Sequence, residues 1–241
     1  MLNNIRIVLV APSHSGNVGS VARAMKTMGL AQLVLVNPSC TLDEQAFALA
    51  AGAKDVLEQV KIVASFDEAI GDCSLVMGSS ARLRHLQSTL VTPREGAQLT
   101  INELSKYEQS AVALVFGRER VGLTNEELLK CHYHVNIPAN PDYASLNLAM
   151  AVQLVCYEVR MAYLSATHKA LKTRLSSAGY ASVSEVEHLL AHSERTYRTL
   201  GFIQNEAVME KLRRLYNRAR LEKNEVNILQ GILSAVDKRI K

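Results

Sequence analysis

Short runs of wholly apolar, mostly β-branched residues recur along the first two-thirds of the chain, separated by segments with helical spacing. The letters IVLVA at residues 7–11 and VALVF at residues 112–116 contain no polar side chain. A strand that is apolar on both faces needs helices on both sides, which is typical of parallel sheets in α/β proteins. The pattern therefore predicts an α/β domain with a mainly parallel sheet and helices on both faces.

This part of the chain is predicted to contain six strands and six helices. The strands are expected at residues 5–11, 32–37, 59–63, 74–78, 112–117 and 134–137. The helices are expected near residues 18–29, 43–51, 66–71, 93–106, 124–130 and 145–165. Ser65 with Glu68, and Thr124 with Glu127, have the spacing of a capping box at a helix start. Residues 146–164 are apolar nearly all round, which predicts a core or interface helix.

The composition changes after residue 165. Residues 166–182 lose the helical period and gain Ser, Ala and Lys, which predicts a linker. We therefore predict a domain at residues 1–165, a linker at 166–182 and a helical extension at 183–241.

Two helices are predicted in the extension. Ser184 and Glu187 have capping-box spacing before the first helix, and Gly201 is a suitable end for it. In the second helix one face is predicted to pack through Leu212, Leu215, Tyr216 and Ala219. The other face is predicted to be cationic.

Positive charge is concentrated after residue 165, in the predicted linker and extension together. Residues 1–165 contain 13 Lys+Arg and 15 Asp+Glu, whereas residues 166–241 contain 14 Lys+Arg and 8 Asp+Glu. A basic extension on a near-neutral body favours a polyanionic partner, and nucleic acid is the natural candidate. A solvated helical face explains the same charges equally well.

The sequence argues against membrane, disulfide and metal chemistry. No apolar run approaches the roughly 18–20 residues of a membrane span, and Arg6 interrupts the stretch that a signal peptide would need. We therefore expect a cytoplasmic protein. The four cysteines lie far apart without a CxxC pair, so we expect them to be reduced core residues. The histidines, including His132 and His134, lack the spacing of a metal site.

Glycine- and serine-rich turns follow several of the predicted strands. In an open α/β sheet, ligands bind beyond the carboxyl ends of the strands. After the first strand, Gly16 and Gly19 permit a tight turn before a helix N-terminus that could hold an anion, although two glycines by themselves favour an ordinary glycine turn. After the fifth strand, Arg118 and Arg120 flank Glu119, as a structural ion pair or as substrate-facing groups. The turns predict a backbone-lined pocket for a small polar ligand.

Known nucleotide-binding motifs are missing from these turns. The absence of GxxxxGK[ST] disfavours a P-loop nucleotidase. The absence of GxGxxG disfavours an ordinary dinucleotide fold and a Rossmann-type methyltransferase.

Three segments, in this order, resemble the motifs of the SpoU (TrmH-like) branch of the SPOUT class of RNA methyltransferases. They are NxGxxxR at residues 17–23, LVFGRERVGL at 114–123 and IPANPDYASLNLA at 137–149. The resemblance covers about residues 1–165. The stretches AMKTMGL, SLNLAMAVQ and LGFI and the NILQGIL ending narrow it to tRNA cytidine/uridine 2′-O-methyltransferases.

The resemblance implies a fold and a cofactor that the residue pattern does not show. The α/β domain would carry a deep C-terminal trefoil knot, a rare exception among folds. S-adenosylmethionine would bind in the knot, and an obligate homodimer would form through the knot region and the helix at 146–164. The implied cofactor pocket, largely of backbone groups, comprises Ser79, Ser80, Ala81, Gly117, Ile137, Ser145, Leu146 and Asn147.

The implied reaction is attack of a ribose 2′-hydroxyl on the sulfonium methyl, at C or U of nucleotide 32 in the tRNA anticodon loop. Arg23 is the catalytic arginine by resemblance. A guanidinium stays protonated, so we expect Arg23 to bind the neighbouring phosphate and steer the hydroxyl proton. Asn17, Glu119, Ser145 and Asn147 would orient Arg23 and the ribose, without a metal.

The cations expected to contact RNA lie in both parts of the chain. They are Arg23, Arg118, Arg120, Lys211, Arg213, Arg214, Arg218 and Arg220. Two other functions fit the same sequence: 2′-O-methylation of rRNA, and a non-catalytic RNA-binding module with a small-ligand pocket.

Overall fold

Seven parallel strands form one sheet in the part of the chain that the structure describes. This computed structural model describes residues 1–80, 89–107, 109–168, 179–203 and 207–240. The chain divides into two compact units, Met1–Leu175 and Ser176–Lys241. The strands of the first unit are β1 (Ile5–Val10), β2 (Gln32–Val36), β3 (Lys61–Val63), β4 (Leu75–Ser79), β5 (Leu90–Val91), β6 (Val112–Phe116) and β7 (Tyr133–Val135). Their order in the sheet is β3-β2-β1-β6-β4-β7-β5.

The predicted α/β class with a parallel sheet is confirmed. Every residue of β6 is buried, as are five of the six residues of β1, with Arg6 the exception. A strand buried along its whole length must be covered on both faces, which is why its sequence is apolar without alternation. At Arg6 the guanidinium leaves the sheet to form two hydrogen bonds with the carboxylate of Asp72.

The predicted number of six strands is wrong. The additional strand, β5, has two residues and pairs with β7. Two residues cannot show an alternation or a run, so no sequence pattern marks them. The other strand boundaries differ from the predicted ones by one or two residues.

Seven α-helices lie in the described residues of the first unit. They are α1 (Ser15–Thr27), α2 (Glu44–Ala50), α3 (Lys54–Glu58), α4 (Phe66–Ile70), α5 (Pro93–Lys106), α6 (Asn125–Leu129) and α7 (Leu148–His168). Helix α3 was not predicted. Helix α1 begins three residues before its predicted start, and α7 begins three residues after its predicted start. Helix α7 packs against both α1 and α5.

The position of β7 is unusual for a sheet wound in sequence order. Strand β7 follows β4 and β5 along the chain but lies between them in the sheet. Consecutive strands are neighbours in most folds, whereas here the chain returns to insert β7 between two strands that precede it in sequence. The trefoil knot itself stays a prediction of the family resemblance.

Helix starts follow the capping chemistry with one difference. The capping box of Thr124 and Glu127 at α6 is confirmed. At α4 the Ser65 hydroxyl accepts a hydrogen bond from the Glu68 N–H, as predicted. The Glu68 carboxylate, however, accepts from the Ala64 N–H and the Ser65 hydroxyl, so the return bond of the box is displaced by one residue.

The second unit contains three helices in its described residues: α8 (Val183–Thr199), α9 (Ala207–Ala219) and α10 (Lys223–Ile240). The predicted capping box of Ser184 and Glu187 is wrong. The box is formed two residues earlier by Ser182 and Glu185, which exchange both hydrogen bonds. Gly201, with φ +74°, follows the last residue of the α8 cap and confirms the predicted stop.

Helix α9 is covered along a narrower strip than predicted. Leu212 and Tyr216 pack against the small core of α8 and α10. Leu215 is 43% exposed and Ala219 is also exposed, so the predicted four-residue packing face is wrong at these two positions. The physical reason is the small size of the core, which buries no residue of α9 fully.

The segment between the predicted domains is described only in part. Residues 166–168 form the end of α7, and residue 182 is the N-cap of α8. Residues 169–178 of the predicted linker lie outside the described residues.

Candidate functional site

A cavity of about 280 Å³ lies where β4, β6 and β7 end. Six of the residues predicted for the cofactor pocket line it: Ser79, Ser80, Gly117, Ile137, Ser145 and Leu146. Ala81 lies outside the described residues. Asn147 lines a neighbouring groove and not this cavity.

One wall of the cavity is a tight turn that only glycine can form at its first position. A Cβ on Gly117 would lie 2.1 Å from the carbonyl carbon of Gly122 and 2.2 Å from the nitrogen of Leu123. The backbone groups of Arg118 and Gly122 exchange hydrogen bonds across the turn, and Gly122 has φ +70°. The turn therefore presents backbone to the cavity at close range.

The residues around this cavity fit S-adenosylmethionine. The side chains of Phe116, Leu123, Ile137 and Leu148 give apolar surface suited to the adenine ring and the carbon chain. Backbone groups at Gly117 and the hydroxyl of Ser145 supply polar partners. The close approach allowed by Gly117 fits a flat ring held between two loops.

Arg118 has a structural partner. Its guanidinium forms two hydrogen bonds of 3.0 Å with the carboxylate of Glu127. Burial tends to raise the pKa of Glu127, but the bonds from Arg118 and Thr124 bring it below its usual value. Arg118 and Arg120 were expected either to form a structural ion pair or to face the substrate. For Arg118 the structure shows the ion pair. Arg120 is exposed and lines the cavity.

The carboxylate of Glu119 occupies the turn before α1. It accepts hydrogen bonds from the N–H groups of Ser13 and His14, from the Ser13 hydroxyl and from the Asn17 side-chain amide, at 3.0 to 3.3 Å. The chain therefore supplies a carboxylate to the two residues that precede α1, and the anion site at the N-terminus of the helix stays a prediction.

The two glycines of this motif serve helix packing. Both lie inside α1, so the predicted tight turn is wrong. A Cβ on Gly19 would lie 2.0 Å from the carbonyl oxygen of Ala46 in α2. The glycine lets α1 and α2 approach more closely than any other residue would allow.

A chain of hydrogen bonds joins the three motifs. The Asn17 amide donates to Glu119, and the Asn147 amide donates to the side-chain oxygen of Asn17 at 3.0 Å. The side-chain oxygen of Asn147 accepts from the N–H of Ala149 at 2.9 Å, at the start of α7. The structure thus brings together Asn17, Glu119 and Asn147, and Ser145 lies two residues away on the cavity wall.

A larger groove of about 1200 Å³ adjoins the cavity. It is lined by α1 and α2 with the segments that precede them, and by the first turns of α7 with the residues just before it. Leu146 lines both spaces, so they meet at this residue. Arg23 is exposed on α1 and lines the groove, not the cavity.

Sequence reasoning missed two residues beside this array, Ser13 and His14. Both contact Glu119, and both line the groove. A Ser-His pair before a helix is common, and its partner lies 105 residues away in sequence. No local sequence signal could have found the contact.

The predicted RNA-binding cations of the extension have different surroundings. Lys211, Arg214 and Arg218 are exposed on α9. Arg213 forms a two-bond ion pair with Glu187 of α8. The Arg220 guanidinium lies 4.5 Å from the centre of the Tyr180 ring.

Residues 1–80, 89–107, 109–168, 179–203 and 207–240 contain neither a membrane-spanning helix nor a cluster of metal-ligating side chains. No helix in these ranges is long and apolar enough to cross a membrane. No group of three or more His, Cys, Asp or Glu side chains in the same ranges is placed to hold a metal ion. His132 is buried and accepts a hydrogen bond from the Val76 N–H through Nδ1, so it serves the core.

Comparison with known proteins agrees with this geometry. The family model described as the SpoU rRNA methylase family matches residues 4–157. The model described as the C-terminal domain of tRNA methyltransferase TrmJ matches residues 184–241.

Full-length relatives cover both matched regions. A Haemophilus influenzae protein named as an uncharacterized tRNA/rRNA methyltransferase is 61% identical over 240 residues, covering 100% of this chain and 97% of its own. The tRNA (cytidine/uridine-2′-O-)-methyltransferase TrmJ of Escherichia coli K12 is 54% identical over 244 residues, covering 100% and 98%. The crystal structure of TrmJ from Z. mobilis ZM4 has a TM-score of 0.81 at 30% identity, covering 96% and 98%. The chain belongs to the SpoU methylase family.

Proposed function

We propose that this protein transfers the methyl group of S-adenosylmethionine to the ribose 2′-oxygen of a cytidine or uridine in tRNA. The observation that carries the proposal is the hydrogen-bonded array of Asn17, Glu119 and Asn147 beside a backbone-lined cavity. The similarity to E. coli TrmJ over the whole chain supports this substrate.

The site has to position a weak nucleophile. S-adenosylmethionine supplies an electrophilic methyl group when bound. A ribose hydroxyl is a poor nucleophile at neutral pH, so alignment and proton handling must supply the rate. Glu119 fixes the amide of Asn17, which in turn fixes Asn147, so these groups meet the ribose in one preset orientation. Ser145 on the cavity wall would contact the ribose beside the methyl group.

Arg23 has a different task in this proposal. Its guanidinium is permanently charged and presents a fork of N–H donors that matches phosphate oxygens. It is exposed in the groove that adjoins the cavity. We propose that it binds the phosphate next to the reacting ribose. Arg120 is exposed at the cavity and not in the groove, and it would contact the RNA there.

We place the modified nucleotide at position 32 of the anticodon loop. The loop exposes riboses that a duplex would hold in a regular helix. A site that contacts sugar and phosphate leaves the base edge unread, which accounts for acceptance of both C and U.

We further propose that the active form is a homodimer in which α7 contributes the interface. Met150, Leu154, Tyr157 and Met161 recur at helical spacing along α7 and are 42–63% exposed in the single chain. Met150 and Leu154 also line the groove, so a partner subunit at this stripe would form part of the groove wall. A stripe of this length is the kind of surface that a second subunit covers. Leu154→Lys places a charge in the middle of the stripe and should give monomers in size-exclusion chromatography with light-scattering detection. Ile62→Lys, at a position 58% exposed on β3, is the matched control and should leave the dimer intact.

The basic extension would hold the body of the tRNA, and the reaction would take place in the cytoplasm. The exposed cations of α9 support this role. Contacts between basic side chains and the tRNA phosphates supply a large share of the affinity of a protein for tRNA.

One assay tests the proposed function directly. The purified protein should transfer labelled methyl from S-adenosylmethionine to unmodified tRNA, and nuclease mapping should locate the label on the ribose of nucleotide 32. Deoxyribose at that nucleotide should abolish transfer, whereas exchange of C for U should preserve it. Label on a base, or on rRNA in preference to tRNA, would contradict the proposal. Label at nucleotide 34 would contradict the position alone.

A further inference from the structure

Asn136 joins the ends of three neighbouring strands at the edge of the sheet where the cavity lies. Its backbone N–H donates a hydrogen bond to the carbonyl of Val91, the last residue of β5, at 2.9 Å. Its side-chain amide donates to the carbonyl of Ser80, the residue after β4, also at 2.9 Å. Asn136 itself follows Val135, the last residue of β7, which pairs with β4 on one side and with β5 on the other. One residue therefore connects all three strand ends.

The residues held in this way line the cavity. Ser80 lines it, and so does Ile137, the residue after Asn136, whereas Asn136 does not. The N–H of Ser80 donates to the carbonyl of Val135 at 2.9 Å, and the Ser80 carbonyl accepts from the Asn136 amide. The first bond joins two backbone groups, so it does not depend on the side chain at residue 135. The second needs a side chain that donates, so the position of the Ser80 carbonyl depends on Asn136.

The amide nitrogen of Asn136, and not its oxygen, must face Ser80. A carbonyl oxygen only accepts hydrogen bonds, so its partner has to be a donor. The contact is partly buried, and a carbonyl that loses a donor in such a place stays partly desolvated without this bond. Ser80 could then replace the lost bond only by moving toward water, which would displace the wall of the cavity.

Two sides of the cavity consist of backbone that is held by hydrogen bonds. On one side, the turn after Gly117 is closed by bonds between Arg118 and Gly122 within the turn itself. On the other side, Ser80 is held by a side chain from a different segment of the chain, that of Asn136. Backbone has no rotamers with which to adjust to a ligand. A displaced Ser80 should therefore be felt directly by a molecule bound between the two sides.

We propose that Asn136 is a positioning residue for S-adenosylmethionine: its side-chain amide fixes the Ser80 carbonyl, and with it the wall against which the cofactor binds. The inference rests on the proposed function, because it takes this cavity to be the cofactor site. Asn136 lines neither the cavity nor the groove, so it acts through Ser80 and touches neither cofactor nor ribose. Its loss should weaken binding of the cofactor and leave the methyl-transfer step of the loaded enzyme intact.

Asn136→Asp tests the hydrogen bond, because it keeps the shape of the side chain and makes the donor depend on pH. An ionised carboxylate only accepts and so repels the Ser80 carbonyl, whereas a protonated carboxyl group can donate to it. Partial burial beside a carbonyl raises the pKa of the introduced carboxyl group. Near about pH 8, where this group is ionised, calorimetry should show S-adenosylmethionine affinity at least about tenfold below wild type. Near about pH 5 the deficit should shrink to within about threefold.

Two further variants separate the hydrogen bond from other effects of the substitution. Asn136→Ala removes the donor without adding a charge, so its affinity should be low at both pH values, and it replaces Asn136→Asp if that variant fails to fold. Asn102→Asp, at an exposed position of α5, adds the same charge elsewhere and should bind as wild type does. Each affinity is expressed relative to wild type at the same pH, which cancels the titration of shared groups such as His134.

Kinetics provide a second readout that distinguishes positioning of the cofactor from loss of the fold. In Asn136→Ala the KM for S-adenosylmethionine should rise by the same factor as its dissociation constant. The single-turnover rate with saturating cofactor, and the dissociation constant for tRNA, should stay within about threefold of wild type. A residue that served only the stability of the sheet would lower the midpoint of denaturant unfolding and leave cofactor affinity unchanged.

The outcomes separate this role from the proposed function. If wild type binds S-adenosylmethionine and Asn136→Ala binds it equally well, the role of Asn136 is overturned while the proposed function stands. A deficit in Asn136→Asp that persists at low pH would assign the effect to packing and would also overturn the role. If wild type transfers no methyl group to tRNA but the affinity of Asn136→Asp recovers at low pH, the proposed function fails and the role of Asn136 stands. If wild type binds no S-adenosylmethionine, both fail.

Discussion

At the scale of single residues, the site depends most on a position that has no side chain. Gly117 lets the loop after β6 fold back on itself, and a Cβ would collide with backbone at 2.1 Å. Backbone cannot move aside as the end of a flexible side chain can. The wall of the cavity and the turn that carries Glu119 would therefore shift together.

We expect Gly117→Ala to weaken binding of S-adenosylmethionine by at least about tenfold, or ~1.4 kcal/mol, measured by calorimetry. Gly52→Ala is the matched control, because its Cβ meets nothing within 4 Å, and it should bind as wild type does. Normal cofactor affinity in Gly117→Ala would show that the cavity is not the cofactor site.

Arg23→Ala should remove nearly all methyl transfer while leaving cofactor affinity and dimerisation near wild type, because Arg23 lines the groove and not the cavity. Transfer within about tenfold of wild type, or ~1.4 kcal/mol of barrier, would reduce Arg23 to a structural role.

The sequence indicates which residues matter better than it indicates what they do. The motifs pointed to Asn17, Glu119 and Asn147, and these do meet in space. The arginine partners could not be predicted, because Glu127 and Glu187 contact arginines 9 and 26 residues away through the fold. A pattern of charges shows that an arginine is present but not which carboxylate engages it.

At the scale of elements, the close contact of α1 and α2 sets the position of the catalytic motif. Gly19 lets the α1 backbone lie against the carbonyl of Ala46 in α2. Helix α1 also carries Asn17 and Arg23. Repeating apolar patterns predicted the long helices and the buried strands, because each of these elements contains enough residues for its period to be recognised. The two-residue β5 and the five-residue α3 offered too few residues for any period to show.

Gly19→Ala should therefore destabilise the first unit by about 1–3 kcal/mol, the usual cost of overpacking. The measurement is denaturant unfolding followed by a probe in this unit, with Gly52→Ala as the control that adds a methyl group in open space. Because α1 would move relative to Glu119, methyl transfer should fall as well. A stability equal to that of the control would show that the helices can separate without cost.

At the scale of the whole molecule, the two parts of the chain differ in net charge. Residues 166–241, the predicted linker and extension together, carry an excess of positive charge, while residues 1–165 have a small negative excess. Salt dependence distinguishes cations that meet phosphate from cations that serve the fold, because only the former release counterions from RNA.

The salt dependence of tRNA binding should flatten when Lys211 and Arg218 are replaced by Ala. Each lost phosphate contact should reduce the slope of log K against log salt by about 0.7–0.9. Arg213→Ala breaks the pair with Glu187, so it should lower the stability of the second unit with little change in slope. Equal slopes in wild type and the double variant would make the cationic face of α9 a solvated surface.

A fragment that ends at His168 should retain the cofactor site and lose affinity for tRNA. It keeps the whole sheet, both walls of the cavity and all of α7, including the exposed stripe assigned to the dimer. It lacks the segment that carries 14 Lys+Arg against 8 Asp+Glu, apart from residues 166–168. Calorimetry should show S-adenosylmethionine affinity near that of the full chain, and light scattering should show a dimer. Filter binding should show a large loss of tRNA affinity at physiological salt, where phosphate contacts supply much of the binding. Unchanged tRNA binding would assign recognition to Arg23, Arg120 and the groove alone.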